Sequence, residues 1–206
     1  MQEPARSALV HKAFRLAWLT AGWMTVEAAV AVGTGMAAHS LTLLAFGADS
    51  IIELLSAGVL LWRLNVELRH GTAFSEGVEQ RASTMGGALL VALTAYVIAS
   101  AAWSLWRGEG QAFSLPGLLL AVVAMPVMST LAKGKLRMAR KMGSAALRAD
   151  AAESIACLYL AAVVVVGQAL QGLVNAWWLD GVSALALVPF LLREAYEAWQ
   201  GDAEDD

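Results

Sequence analysis

Cysteine is nearly absent from this sequence. Cys157 stands alone, so no disulfide can form within one chain and cysteine usage says nothing about redox compartment. Histidine is scarce too: only His11, His39 and His70 occur, and none falls midway along an apolar run. Charge is thin, at 15% of residues, against about 25% in ordinary globular domains. The net charge of -3 is too mild to point to a partner. No basic patch interleaved with aromatics suggests nucleic acid. There is no Pro-, Ser- or Gln-rich tract and no clear tandem repeat. An HExxH motif, a nucleophile elbow and a YD/GxGD-type context are all missing, which leaves a hydrolase little to work with. Arg6, Lys12 and Arg15 precede an apolar stretch too long for a signal-peptide core and without a clear cleavage site, so that stretch is expected to stay as a helix.

What is abundant is apolar side chain, 59% of the residues. A soluble fold of this length could not hide so much, so lipid must cover part of it. A helix needs ~20 mostly apolar residues to cross ~30 Å of hydrocarbon. Six segments qualify, at about 16–36, 40–62, 83–106, 114–133, 146–171 and 176–197. Gly35 to His39 reads as a tight hairpin, and Gly108-Glu109-Gly110 and Gln171-Gly172 with Asn175 break the later pairs. A polar stretch from Asn65 to Ser83 joins the second segment to the third.

The expected fold is an all-α integral membrane bundle of six transmembrane helices spanning 16–199. A cytoplasmic segment, 1–15, precedes it and a short acidic tail, 200–206, follows. Of the 14 basic residues all but Arg107 gather at one end of these segments. By the positive-inside rule that end, with both termini, is cytoplasmic. Trp103, Trp106, Trp177 and Trp178 would form an outer interfacial belt, with Trp62 and Trp199 at the inner ends and Trp18 and Trp23 filling the core. Pro126 and Pro189 fall inside predicted helices and read as tolerated kinks before hinges.

The informative residues are acids within the apolar segments. A charge near the bilayer centre costs at least ~2.5–3.5 kcal/mol on insertion scales. Glu27, Asp49, Glu53, Asp150, Glu153 and Asp180 lie in or at the ends of predicted helices, and no Lys or Arg is expected at mid-depth to pair with them. Such acids must protonate, face water or hold a cation. Asp49 and Glu53 are one turn apart on one helix face, and Asp150, Glu153, Ser154 and Cys157 form a second stripe at i, i+3, i+4 and i+7. Counted from the cytoplasmic ends, the two stripes reach similar depth on antiparallel helices. If those helices pack together, the side chains converge mid-membrane as candidate metal ligands. An interhelical hydrogen bond, the ordinary alternative, is worth only ~0.6–2 kcal/mol, less than holding several acids in lipid. Asp150, beside Arg148, is balanced between a ligand on the access path and a surface ion pair. Cys157 is balanced between a ligand and a small packed hydrophobe. Glu27, His39 and Asp180 are assigned to structure, a proton relay or the access path.

Three stretches carry a resemblance. Gly35 to Glu53 (GMAAHSLTLLAFGADSIIE), Leu147 to Cys157 (LRADAAESIAC) and Trp177 to Trp199 (WWLDGVSALALVPFLLREAYEAW) resemble, in order and spacing, the second, fifth and sixth helices of the cation diffusion facilitator family. Glu27 also matches an acid often found in that family's first helix. The resemblance implies a six-helix, usually dimeric exporter that exchanges a cytosolic divalent ion, commonly zinc, for protons. It puts Asp49 and Glu53 on the family's helix-two ligands, Glu153 where His or Asp is usual, and Cys157 where Asp is usual. Asp150 matches the Asp of an Ala-Asp pair that is not usually the main ligand. The sequence departs from the pattern in having no imidazole in the set. It also departs in carrying few residues after Trp199, where relatives have a cytoplasmic metal-binding domain.

The expected function is therefore efflux of a divalent metal, Zn²⁺ foremost with Mn²⁺, Fe²⁺ or Cd²⁺ open, in exchange for protons. No bound cofactor is expected. The expected partners are the transported ion, protons, the lipid bilayer and a second copy joined through membrane helices, with Ala82, Gly86 and Gly87 able to permit close approach. The expected location is a bacterial inner (plasma) membrane. Two other classes stay open at this point: an intramembrane carboxylate enzyme, and a non-transporting subunit of a membrane complex.

Overall fold

The computed structural model of the chain describes residues 3–70, 76–108, 110–142 and 145–200. The acids of 202–206, the side chains of His70, Ala82 and Trp199 and the surroundings of Gly86 lie outside the described residues. Among the described residues six helices follow one another: α1 (Glu3–Ala38), α2 (Leu41–His70), α3 (Glu76–Arg107), α4 (Leu115–Met142), α5 (Ala145–Val174) and α6 (Leu179–Gln200). Among the described residues there is no strand. Five of the helices contain stretches long and apolar enough to cross a membrane. The sixth, α6, carries Asp180 in its first turn and packs lengthwise on α3. The chain is a six-helix membrane bundle.

The helices outrun the predicted apolar segments at the end that holds the chain termini. α1 has 36 residues, about 54 Å at 1.5 Å per residue, and absorbs most of the segment expected to precede it. The polar stretch after residue 65 is mostly helix as well, divided between α2 and α3. Propensity explains this: Glu, Lys, Arg, Leu and Ala prolong a helix once it has left the hydrocarbon. Pro126 and Pro189 both sit inside unbroken helices.

The ends at the three hairpin turns are set locally. His39 (φ 52°), Gly108 (φ 69°) and Asn175 (φ 49°) each follow a helix in the left-handed conformation. At His39 the motif is complete: Ser40 N–H donates to Gly35 O at 2.9 Å and His39 N–H to Met36 O at 3.4 Å, the pairing of a Schellman cap. His39 thus has a structural task as the residue that turns the chain from α1 to α2.

α1, α2, α4 and α5 form a ring in which α1 touches α2 and α4, and α5 touches α4 and α2. α3 and α6 pair alongside, against α2 and α5. The inward stripe of α1 is small: Ala13, Ala17, Ala21, Ala28 and Ala31 are all buried. Trp18 falls just off that stripe and is 58% exposed toward the surroundings, so the expectation that it fills the core is corrected. A helix seated on alanines is too close to its neighbours to admit an indole there. Trp103, Trp106, Trp177 and Trp178 stand exposed at the hairpin end.

α1 and α2 come close together at Gly47. A Cβ there would lie 2.9 Å from Val32 N and 2.8 Å from its Cγ2. Val32 N belongs to a helix backbone and cannot give way alone. Gly47→Ala should push α1 and α2 apart and lower the melting temperature. Gly58→Ala, where a Cβ meets nothing within 4 Å, should raise stability by up to ~1 kcal/mol through helix propensity. Thermal unfolding of the two purified variants checks the pair.

Candidate metal site

The ring brings three helices to one buried cluster. From α2 come Asp49 and Glu53 with Ser50 between them. Glu27 comes from α1 and Cys157 from α5. Asp49, Ser50, Glu27 and Cys157 are fully buried and Glu53 nearly so. All four carboxylate oxygens of Asp49 and Glu53 are buried without a hydrogen-bond partner. Desolvating a carboxylate and giving it nothing in return is among the costliest arrangements a protein can hold.

Glu27 is the opposite case. Its Oε1 accepts from the Ser50 hydroxyl at 2.8 Å and from the Cys157 thiol at 3.1 Å. Its Oε2 accepts from the Trp23 indole N–H at 2.6 Å. Trp23 lies one turn before Glu27 on the same helix, so α1 supplies both acid and clamp. Sequence reasoning put Glu27 at the margin and Trp23 in the core; here they form one wall of the cluster. The signal was available, since an indole N–H inside an apolar helix needs an acceptor and Glu27 is four residues away.

Around this nucleus stand more acids. Glu53 is within electrostatic range of Asp49, Glu194, Glu153 and Glu27. Cys157 is within the same range of Glu53, Glu27 and Asp49. Glu153 is partly exposed at the cluster's edge. Glu194, from α6, was not among the residues singled out from sequence, because it sits beside Arg193 near a helix end and reads there as an ordinary surface charge. Among the described residues no three His, Cys, Asp or Glu side chains stand close enough to form a ready-made metal cage. An ion entering here would have to draw the unpartnered oxygens inward.

Asp150 is not brought to this cluster. Its Oδ1 pairs with Lys135 Nζ at 2.9 Å. The same ammonium donates to Ser154 Oγ at 2.8 Å and to Asp150 O at 3.2 Å. Lys135 is only 1% exposed. The expectation that no basic residue reaches the membrane-embedded acids is therefore corrected for Asp150. α4 extends far enough past its apolar stretch for the lysine to swing against α5. Of the expected helix-five stripe, Cys157 faces the α1–α2 acids, Glu153 lies at their edge, and Asp150 with Ser154 serves Lys135.

Asp180 and His39 lie at the hairpin end, away from the cluster. Asp180 caps α2 from across the bundle: Oδ2 accepts from Leu41 N–H at 2.6 Å, and Oδ1 from Thr42 N–H at 3.1 Å and Ser40 O–H at 2.8 Å. A carboxylate on the first free N–H groups of a helix meets both the orphan donors and the positive end of the dipole. Both residues also line a cavity of about 710 Å³ with Tyr96, Trp103 and Gln111.

A family model described as the cation efflux transmembrane domain matches residues 17–199. The chain belongs to the cation efflux family. The match takes in all six helices, with α1 from Ala17 onward, and it carries the resemblance noted for helices two, five and six across nearly the whole chain. No curated protein matches the chain. This cation efflux protein is thus a multi-pass membrane transporter, and its acid cluster lies within the matched region.

Proposed function

We propose that this cation efflux protein moves a divalent metal ion across the membrane in exchange for protons, with Asp49 and Glu53 as the principal ligands and Cys157 and Glu153 completing the set. One observation carries the reading: two adjacent carboxylates on α2 are buried with every oxygen unpartnered. Their cost is recovered only if something cationic neutralises them at some stage of the working cycle. A metal ion does so when loaded, and protons do so when it has left. Both compete for the same oxygens, so binding metal releases protons. Flux should accordingly fall as pH drops on the loading side. Without that exchange, an empty anionic site would have to cross the membrane potential uncompensated.

Carboxylates with one thiolate suit Zn²⁺ first and Cd²⁺ next, while a carboxylate-only set would suit Mn²⁺. Cys157→Ser should therefore lower Zn²⁺ and Cd²⁺ binding about tenfold or more and leave Mn²⁺ binding little changed. Calorimetry with the three ions checks this, and an equal loss for all three would remove Cys157 from the ligand set. Zn²⁺-driven proton release and metal flux by the purified 206-residue protein, reconstituted in liposomes without other components, together test the exchange; no flux of any of these ions would overturn it.

The gathering of basic residues at the terminal end supports a cytoplasmic placement of both termini; export outward, a bacterial inner membrane and a second copy of the chain joined through membrane helices are part of the same proposal. Of the other two classes, the intramembrane enzyme is disfavoured because Asp150, one half of the dyad it would need, is committed to a buried ion pair with Lys135. A non-transporting subunit would have no use for two unpartnered carboxylates.

A further inference from the structure

At the hairpin end, buried polar side chains from every turn meet in one network. Gln168 of α5 is its hub. The Gln168 side-chain amide donates to Gln111 Oε1 at 3.2 Å and to Ser40 Oγ at 3.4 Å, and its Oε1 accepts from Ser114 N–H at 3.0 Å. Gln171, one turn nearer the hairpin end, donates to Gln111 O at 2.9 Å. The backbone joins in, with Ala112 N–H donating to Ala38 O at 2.9 Å. At Gly110 a Cβ would lie 2.8 Å from Trp177 Cα, so only glycine lets the α3–α4 loop rest on the α5–α6 turn. Ser40, Gln111, Ser114, Gln168 and Gln171 are all buried.

The network sits squarely over the acid cluster. Ser40 lies nine positions before Asp49 at the start of α2, and Gln168 eleven positions after Cys157 along α5, about 14 and 17 Å at 1.5 Å per residue. Where α2 and α5 run together from the cluster toward the hairpin end, Ser40 and Gln168 touch and close the space between them. The seal is made of neutral amides and hydroxyls. Asp180, the acid bonded into it among the described residues, has both oxygens committed to the α2 cap. Neutral groups of this kind exchange partners with water at little net cost. The seal is also incomplete, for Gln171 Oε1 is buried with no donor. A permanent cap would be better built from apolar packing or with every group satisfied.

We propose that the Gln168–Gln111–Ser40 network is the outer gate of the transport path, closed in this conformation, and that α5 must release it for the ion to exit. The assignment rests on the acid cluster being the ion's binding site. The chain carries its own reporter, since Cys157 is its single cysteine and lies in that cluster, fully buried. The test is the rate at which a membrane-impermeant cationic methanethiosulfonate modifies Cys157 from each face, in vesicles of either orientation and without metal. Wild type should react slowly from the hairpin face. Gln168→Ala should raise that rate about tenfold, a shift in the closed–open balance of about 1.4 kcal/mol, with the rate from the terminal face unchanged. If Gln168→Ala does not fold, Gln111→Ala removes one acceptor and should raise the same rate by a smaller factor. No change in the hairpin-face rate, fast reaction of wild type from that face, or an equal rise from both faces overturns the gate; the last would show general loosening. Because the readout uses no metal, the two failures separate: ion flux with an unmoved hairpin-face rate would sink the gate alone, whereas an opened network in a protein showing no ion flux would sink the transport reading and reduce the network to an access barrier over Cys157.

Discussion

Replacing Asp49 with Asn and Glu53 with Gln together should abolish metal flux and at the same time raise thermal stability. The two effects have one cause. Amides keep the shape of the side chains and remove charges whose four oxygens have no partner in the fold. An acid near the bilayer centre costs at least ~2.5–3.5 kcal/mol on insertion scales, so each replacement should return on the order of 1–3 kcal/mol. Losing both anionic ligands should weaken metal binding by more than ~100-fold, beyond what outer-shell changes do. Glu27→Gln should behave differently. Glu27 already accepts three hydrogen bonds, so removing its charge should destabilise, by about 1.5–3 kcal/mol. Flux in liposomes and melting temperature in metal-free detergent measure both sides. A double variant that melts lower and still transports would show that these carboxylates were structural.

Lys135→Met should be the most destabilising single change among the charged residues described here. The lysine and Asp150 are both buried, with side chains 1% and 9% exposed. Methionine leaves the Asp150 carboxylate in place with its cation gone, and breaking one partner of a buried pair typically costs about 3–5 kcal/mol. Lys135→Met combined with Asp150→Leu should recover most of the loss, since a buried pair exchanged for apolar residues is often neutral. Had the lysine merely snorkelled to the interface, the single change would cost less than ~1 kcal/mol. A melting-temperature cycle over the two singles and the double separates these outcomes. Two singles that each lose little would mean the pair is solvated in the working protein.

Much of the site is legible in the sequence. The i, i+4 spacing of Asp49 and Glu53 puts them on one face whatever else the chain does, and equal depth on antiparallel helices follows from counting residues. What escaped was everything that depends on which neighbour a side chain meets. Glu27 looked peripheral because nothing in α1 alone says that it faces Ser50 and Cys157. Glu194 looked like a surface charge because its approach to Glu53 needs α6 laid across the bundle. Asp150 and Cys157 were equally poised on paper, one at each end of the same stripe. Lys135 was assigned to the positive-inside set, and its reach back to α5 shows that a residue counted at an interface can still be buried.

The hairpin end shows the same division. Gln111, Ser114, Gln168 and Gln171 are scattered through loops and helix ends, where polar residues draw no notice. Only when three turns close on one another do their amides have to find partners inside the protein.

Residues in order along the chain settle what lipid must cover, how many times the chain crosses and where charge is too costly to be idle, because hydropathy and helical period are properties of single segments. Partnership is another matter. Whether a buried acid is clamped, paired or left bare depends on which helix lies opposite, and that is decided when six helices pack into one bundle.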